Sequence, residues 1–231
     1  MTGLYDLNGP AIAPAAQGAP DSIVVFLHGY GADGDDLIAL TPHFAHALPR
    51  TLFVSPHAPF PCEMGFGRQW FGFGDRRPEA ILSGADTAGR LLGEFLDTLL
   101  ARTGLAEARL ALVGFSQGTM MALHVAPRRA EPCAAIIGFS GRLLDDGTFA
   151  AAIRVRPPVL LVHGEADGVV PVAALDEAVA GLKAAGFAVE AQRRPGLEHG
   201  IDGEGLASAT SFLKTHLGAE GSGQPSVPRT G

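Results

Sequence analysis

The stretch Leu110–Val125 reads LALVGFSQGTMMALHV. Its first four residues are continuously apolar, as a strand covered on both faces must be. Thr119–Val125 suits a short helix, and Gly-Phe-Ser-Gln-Gly at 114–118 joins the two. A serine at such a strand-to-helix turn is lifted clear of the sheet, and a glycine on each side relieves the crowding of a tight bend. The amides that open the next helix then point at whatever carbonyl the serine oxygen approaches. The pentapeptide alone decides little. With 31 glycines in the 231-residue chain, random placement produces such a motif in roughly one sequence in six. The strand before Ser116 and the helix after it carry the reading.

The same alternation extends outward. Ile23–Leu27, Thr51–Ser55, Ala134–Gly138 and Val159–Val162 are short apolar runs, and Phe187–Gln192 is a mixed one. Between them the spacing predicts helices. Asp35–Leu48 opens with two acids, which suit a helix N-terminus. Gly84–Arg102 places Leu91, Leu92, Phe95, Leu96, Leu99 and Leu100 at helical spacing. Val172–Ala185 stops near Gly186, and Leu206–Leu217 closes the order. Strands alternating with helices imply an α/β fold, with a mostly parallel central sheet and helices on both faces. Residues 1–217 read as a single domain, and Gly218–Gly231 reads as a disordered tail. Pro56–Pro78 has no periodicity and is rich in Gly, Pro and aromatic residues. A long loop of that kind in a compact chain is usually functional.

Composition narrows the partners. Hydrophobic residues make up 47 %, charged residues 18 %, and the formal net charge is −7. The apolar share supports a sizeable core, and the acidic balance argues against nucleic acid and anionic membrane surfaces. No apolar run is long enough for a membrane span, and Met1–Ala16 lacks a basic, then apolar, leader. The expected compartment is the cytoplasm, where Cys62 and Cys133 are two reduced thiols.

A serine hydroxyl needs a base to take its proton, and the base needs an acid to orient it. In this fold the order along the chain is Ser, acid, His. His124 falls inside the helix after Ser116, where packing suits it. His163 ends a strand too early to follow an acid, and His216 lies among the leucines of the last helix. His199, in the turn-rich PGLEHG before that helix, is the candidate base. Asp167, in HGEADGVVP just beyond Val159–Val162, is the candidate acid, with Glu165 and the pair Asp145 and Asp146 as rivals. The first apolar run ends in Leu27-His28-Gly29-Tyr30-Gly31. A glycine-rich turn there can present an N–H, so the Leu27 and Gln117 amides are the candidate oxyanion donors. His28 reads as a shaping residue.

At these residues the chain resembles the phospholipase/carboxylesterase family of α/β-hydrolases, which includes acyl-protein thioesterases. The matching pieces are LHGYGADG (27–34), PHAP (56–59), QWF (69–71), GFSQG (114–118), HGEADGVVP (163–171) and LEHG (197–200). The resemblance implies Ser116, Asp167 and His199 as a triad, Leu27 and Gln117 as oxyanion donors, and no metal or organic cofactor. It implies hydrolysis of small acyl esters of short to medium chain length, with thioesters and lysophospholipids in range. Thioesterase members tend to carry an acid right after the Trp-Phe pair, whereas Gly72 stands there in this chain. Trp70, Phe71 and Phe73 are expected to line the substrate pocket, or else to pack the long loop down. An exposed Trp70 loop could instead serve a homodimer interface rather than the substrate. A peptidase on the same fold and a non-catalytic binding protein are the competing readings.

Overall fold

The computed structural model describes residues 7–218, so the expected tail lies, apart from Gly218, outside the described residues. In chain order the strands are β1 (Ala11–Ile12), β2 (Ser22–Leu27), β3 (Thr51–Val54), β4 (Phe60–Pro61), β5 (Arg68–Gln69), β6 (Leu110–Phe115), β7 (Ala135–Phe139), β8 (Val159–Gly164) and β9 (Val189–Arg194). The helices are α1 (Gly34–Ile38), α2 (Thr41–Ala45), α3 (Pro78–Thr103), α4 (Gln117–Val125), α5 (Phe149–Ala152), α6 (Ala173–Ala184) and α7 (Gly203–Leu217). Seven strands form one sheet in the order β1-β3-β2-β6-β7-β8-β9. Only β1 runs antiparallel within it, pairing Ala11 with Val54 and Ile12 with Phe53. The other neighbours are parallel, with Leu27 opposite Gly114 and Phe115 opposite Phe139.

The continuous apolar runs resolve into two faces. Ile23, Val25 and Leu27 of β2, with Leu110 and Leu112 of β6, pack against α3, α4 and α6 through Leu92, Leu96, Met121 and Leu182. Val24, Phe26, Ala111 and Val113 point the other way, onto Leu37, Phe44, Leu213 and Leu217 of α1, α2 and α7. Alternate residues of one strand thus enter two cores, which is why no polar alternation is visible in the sequence. Fully buried side chains such as Leu92 and Leu96 each stabilise by about 2 kcal/mol.

Three of the departures from expectation have local reasons. The helix predicted over Asp35–Leu48 is two short helices, because Pro42 in the first turn of α2 cannot donate to a continuous ladder. The helix predicted over Gly84–Arg102 starts earlier, with Pro78 in its first turn, and ends at Gly104 in the left-handed conformation. The strand predicted at Phe187–Gln192 begins two residues later. Phe187 instead gives its N–H to the Leu182 carbonyl and closes the end of α6. The aperiodic loop Pro56–Pro78 contains the two-residue pair β4–β5, with Phe60 opposite Gln69.

Candidate active site

Ser116 stands between β6 and α4 with φ 54°, one of two described non-glycine residues at positive φ. Such a conformation is strained and persists only where the surroundings enforce it. Its N–H donates to the Phe139 carbonyl at 2.8 Å, which ties the turn to the next strand. A Cβ on Gly114 would lie 2.4 Å from the Thr119 nitrogen, so the turn can close only around glycine there.

The Ser116 Oγ lies 3.0 Å from Nε2 of His199, and Nδ1 of His199 lies 2.7 Å from Oδ2 of Asp167. With the carboxylate at Nδ1, the network assigns the ring proton to that nitrogen and leaves Nε2 to accept from the serine hydroxyl. The Phe115 ring sits 4.9 Å from the His199 ring. The other oxygen of Asp167, Oδ1, accepts the N–H groups of Val169 at 2.9 Å and Val170 at 2.8 Å. Burial pushes the Asp167 carboxyl up, but the His199 hydrogen bond and the two amides outweigh it and hold it below the usual range. The rivals are engaged elsewhere or exposed. Asp145 accepts from Gly147 and Phe149, Asp146 from Thr148, and Glu165 faces solvent.

His163, read from sequence as a strand-end residue, approaches the same carboxylate oxygen as His199. Its Nε2 donates to the Val170 carbonyl at 2.8 Å and sits 3.3 Å from Asp167 Oδ2. The four-residue spacing from Asp167, at a strand end that turns back on itself, was the available signal.

Gln117, the first residue of α4, is fully buried. Its side-chain Oε1 accepts the Trp70 N–H at 2.8 Å, and its Nε2 donates to the Phe71 carbonyl at 2.7 Å. Sequence reasoning assigned Gln117 a role through its backbone alone, and this clamp was missed. The Trp70 indole N–H donates to the His28 carbonyl at 3.0 Å. Nε2 of His28 in turn accepts the Ala58 N–H, while Nδ1 donates to the Gly29 carbonyl. Burial lowers the His28 pKa to about 4. The loop after β3 is thus bolted to both segments that flank Ser116.

The matching family is the phospholipase/carboxylesterase family, whose model covers residues 8–217. The chain belongs to that family. It is 44 % identical to a solved structure, esterase PE8, with a TM-score of 0.87, covering 92 % of this chain and 100 % of that one. Acyl-protein thioesterase 1 of Gibberella zeae is 28 % identical over 225 residues, 90 % of this chain and 95 % of its own length. A probable carboxylesterase of Oryza sativa subsp. japonica is 30 % identical over 91 % of this chain and 83 % of its own length. As a member of this family the chain is a carboxylic ester hydrolase of the α/β-hydrolase fold.

One expectation about this family member is corrected. Trp70 is 0 % exposed and Phe71 1 %, so the loop does not present Trp70 to solvent. The indole is buried because its N–H finds the His28 carbonyl, and its backbone is held by Gln117. Phe73 is half-buried against Phe71 and Tyr30. The apolar side chains this loop does expose are Met64 and Phe66.

Among the described residues, ligand atoms of Asp33, Asp35 and His57 lie within 4.8 Å of one another and could hold a cation. His57 Nδ1 already accepts the Gly34 N–H and Asp33 the Asp35 N–H, so both serve the turn into α1. No helix among the described residues is long and apolar enough to cross a membrane.

Proposed function

We propose that this hydrolase is a serine carboxylesterase acting through an acyl-enzyme on Ser116, on short- to medium-chain acyl esters and their thioester or lysophospholipid counterparts. The observation that carries the reading is the unbroken relay from Ser116 Oγ through His199 to Asp167, at 3.0 and 2.7 Å, on a serine held at positive φ. Ser116 Oγ attacks the acyl carbon as His199 Nε2 takes its proton, and Asp167 stabilises the imidazolium. The negative oxygen of the tetrahedral intermediate is received by the backbone N–H groups of Leu27 and Gln117. Gln117 opens α4, where the first amides have no partner within the helix. His199 returns the proton to the leaving alcohol or thiol. Water then attacks the acyl ester, again deprotonated at His199, and the free acid departs with Ser116 restored.

Met64 and Phe66 offer exposed apolar side chains to an acyl chain. Both approach Gly31, two residues beyond Gly29, and Gly29 packs against the Ser116 side chain. Phe73, beside Tyr30, lies on the same side. Two separately buried, unpaired cysteines suit a reducing, cytoplasmic compartment.

The test is covalent labelling with a fluorophosphonate probe, together with p-nitrophenyl ester turnover. Wild-type protein is expected to label at Ser116, and Ser116→Ala to fall to background. Full turnover by Ser116→Ala would sink the assignment.

A further inference from the structure

Three segments meet next to the Ser116 turn: the turn Gly29–Gly31, the connection between β4 and β5, and residues Trp70–Gly74. One carboxylate joins them. Glu63 Oε2 accepts the Phe73 N–H at 2.9 Å, the Gly74 N–H at 3.1 Å and the Tyr30 hydroxyl at 3.1 Å. The Glu63 N–H donates to the Gln69 side chain at 2.8 Å, which fixes the base of the residue. The Phe73 amide, helped by Tyr30 and Gly74, holds the carboxyl below its usual range despite some desolvation. The Tyr30 phenol is pushed upward by burial, by Cys62 and by Glu63.

The position of this carboxylate is unusual in one respect. A Cβ built on Gly72 would lie 2.2 Å from Glu63 Oε1 and 3.0 Å from its Cδ. The carboxylate therefore occupies the space that a side chain at position 72 would fill. An aspartate at 72 would put its own carboxylate there. From that position it could take the Gly74 N–H in an ordinary Asx turn.

We propose that Glu63 is a positioning residue for ester hydrolysis, which reaches from the β4–β5 connection to the Phe73–Gly74 segment to do what a carboxylate at position 72 would do from within the loop. It holds the Tyr30 turn against the Phe71–Phe73 segment. Gly29, next to Tyr30, is what packs on Ser116, so loosening this tie moves the wall beside the nucleophile. The inference rests on Ser116 as nucleophile for its kinetic effect, but the contact itself is readable without activity.

The experiment compares wild type, Glu63→Ala, Gly72→Asp and the double variant Glu63→Ala/Gly72→Asp in the full chain. Two readouts are used: kcat and KM on p-nitrophenyl butyrate, and alkaline absorbance titration of tyrosine, with Tyr30→Phe identifying the Tyr30 share. Glu63→Ala should lose about tenfold in kcat/KM and titrate Tyr30 at lower pH. Gly72→Asp alone should also lose activity, because two carboxylates then compete for one space. The double variant should recover to within about threefold of wild type and restore the high Tyr30 titration. A double variant no better than Glu63→Ala in both readouts overturns the proposal, as does an unchanged Tyr30 titration in Glu63→Ala. If wild type itself lacks esterase activity, the function reading fails instead, and the tyrosine titration still decides the role of Glu63.

Discussion

Gly118 and Leu27 touch so closely that a Cβ on Gly118 would lie 1.8 Å from the Leu27 carbonyl oxygen. That contact presses the start of α4 onto the end of β2, the two elements that carry the proposed oxyanion donors Gln117 and Leu27. Gly118→Ala must push the helix away from the strand. It is expected to destabilise by about 3 kcal/mol and to lower kcat by more than tenfold. Gly93 is the control. It lies inside α3, and an added Cβ meets nothing within 4 Å. Gly93→Ala should stabilise by about 0.5–1 kcal/mol. Urea unfolding of the two variants checks both signs.

The Gln117 clamp leads to a second expectation. Gln117→Ala strands the buried Trp70 N–H and Phe71 carbonyl without partners, at a cost on the order of 2–4 kcal/mol. Because Trp70 is the only tryptophan in the chain, its fluorescence reports the loop directly. The variant should show a red-shifted emission before the global transition. Wild-type stability and emission in Gln117→Ala would mean that the clamp holds nothing.

Much of this arrangement was legible in the sequence, for reasons that differ by element. The parallel sheet was legible because strands buried on both faces show as unbroken apolar runs, as in Ile23–Leu27. Ser116 and His199 were placed by chain order and strand ends, Asp167 was singled out from its rivals with the family resemblance, and the structure sets His199 within hydrogen-bonding distance of both Ser116 and Asp167. The pair β1–β3 was not legible, since two residues give no period. Nor was the burial of Trp70, which depends on a carbonyl 42 residues away. Gly72 was noticed as a departure, but its meaning needed Glu63, whose carboxylate occupies the space beside it. Contacts between segments without periodicity leave no pattern to read.

Asp167 supplies the third expectation. Asp167→Asn keeps the size of the group but offers an amide to His199 Nδ1, which can then settle with its proton on Nε2 and no longer accept from Ser116. The expected fall in kcat is about 10³–10⁴-fold with little change in KM. Asp146→Asn, at a residue whose side-chain hydrogen bonds stay within its own turn, should stay within about twofold. Steady-state kinetics of the two variants separates orientation of the base from general loss of negative charge. Equal losses in both would remove Asp167 from its proposed role.

His28 makes stability depend on pH in a window that the carboxylates do not share. Its folded pKa is about 4, against 6.5 for the free side chain, because burial disfavours the charged ring. Between those values the unfolded chain binds a proton that the folded chain refuses, so stability rises with pH there. The contribution is fully present above pH 6.5 and is lost as pH falls toward 4, by about 3 kcal/mol in all. The Asp167 contribution has the same sign but lies lower, since its folded pKa is depressed and its stabilisation goes only as pH drops through that value. Urea unfolding at several pH values between 7.5 and 4, for wild type and His28→Gln, tells them apart. Glutamine can still accept from Ala58 and donate to Gly29 but does not titrate. It should therefore start less stable at pH 7.5 and converge on wild type as the pH approaches 4. Parallel stability curves across that range would show that the buried imidazole is not the group being titrated.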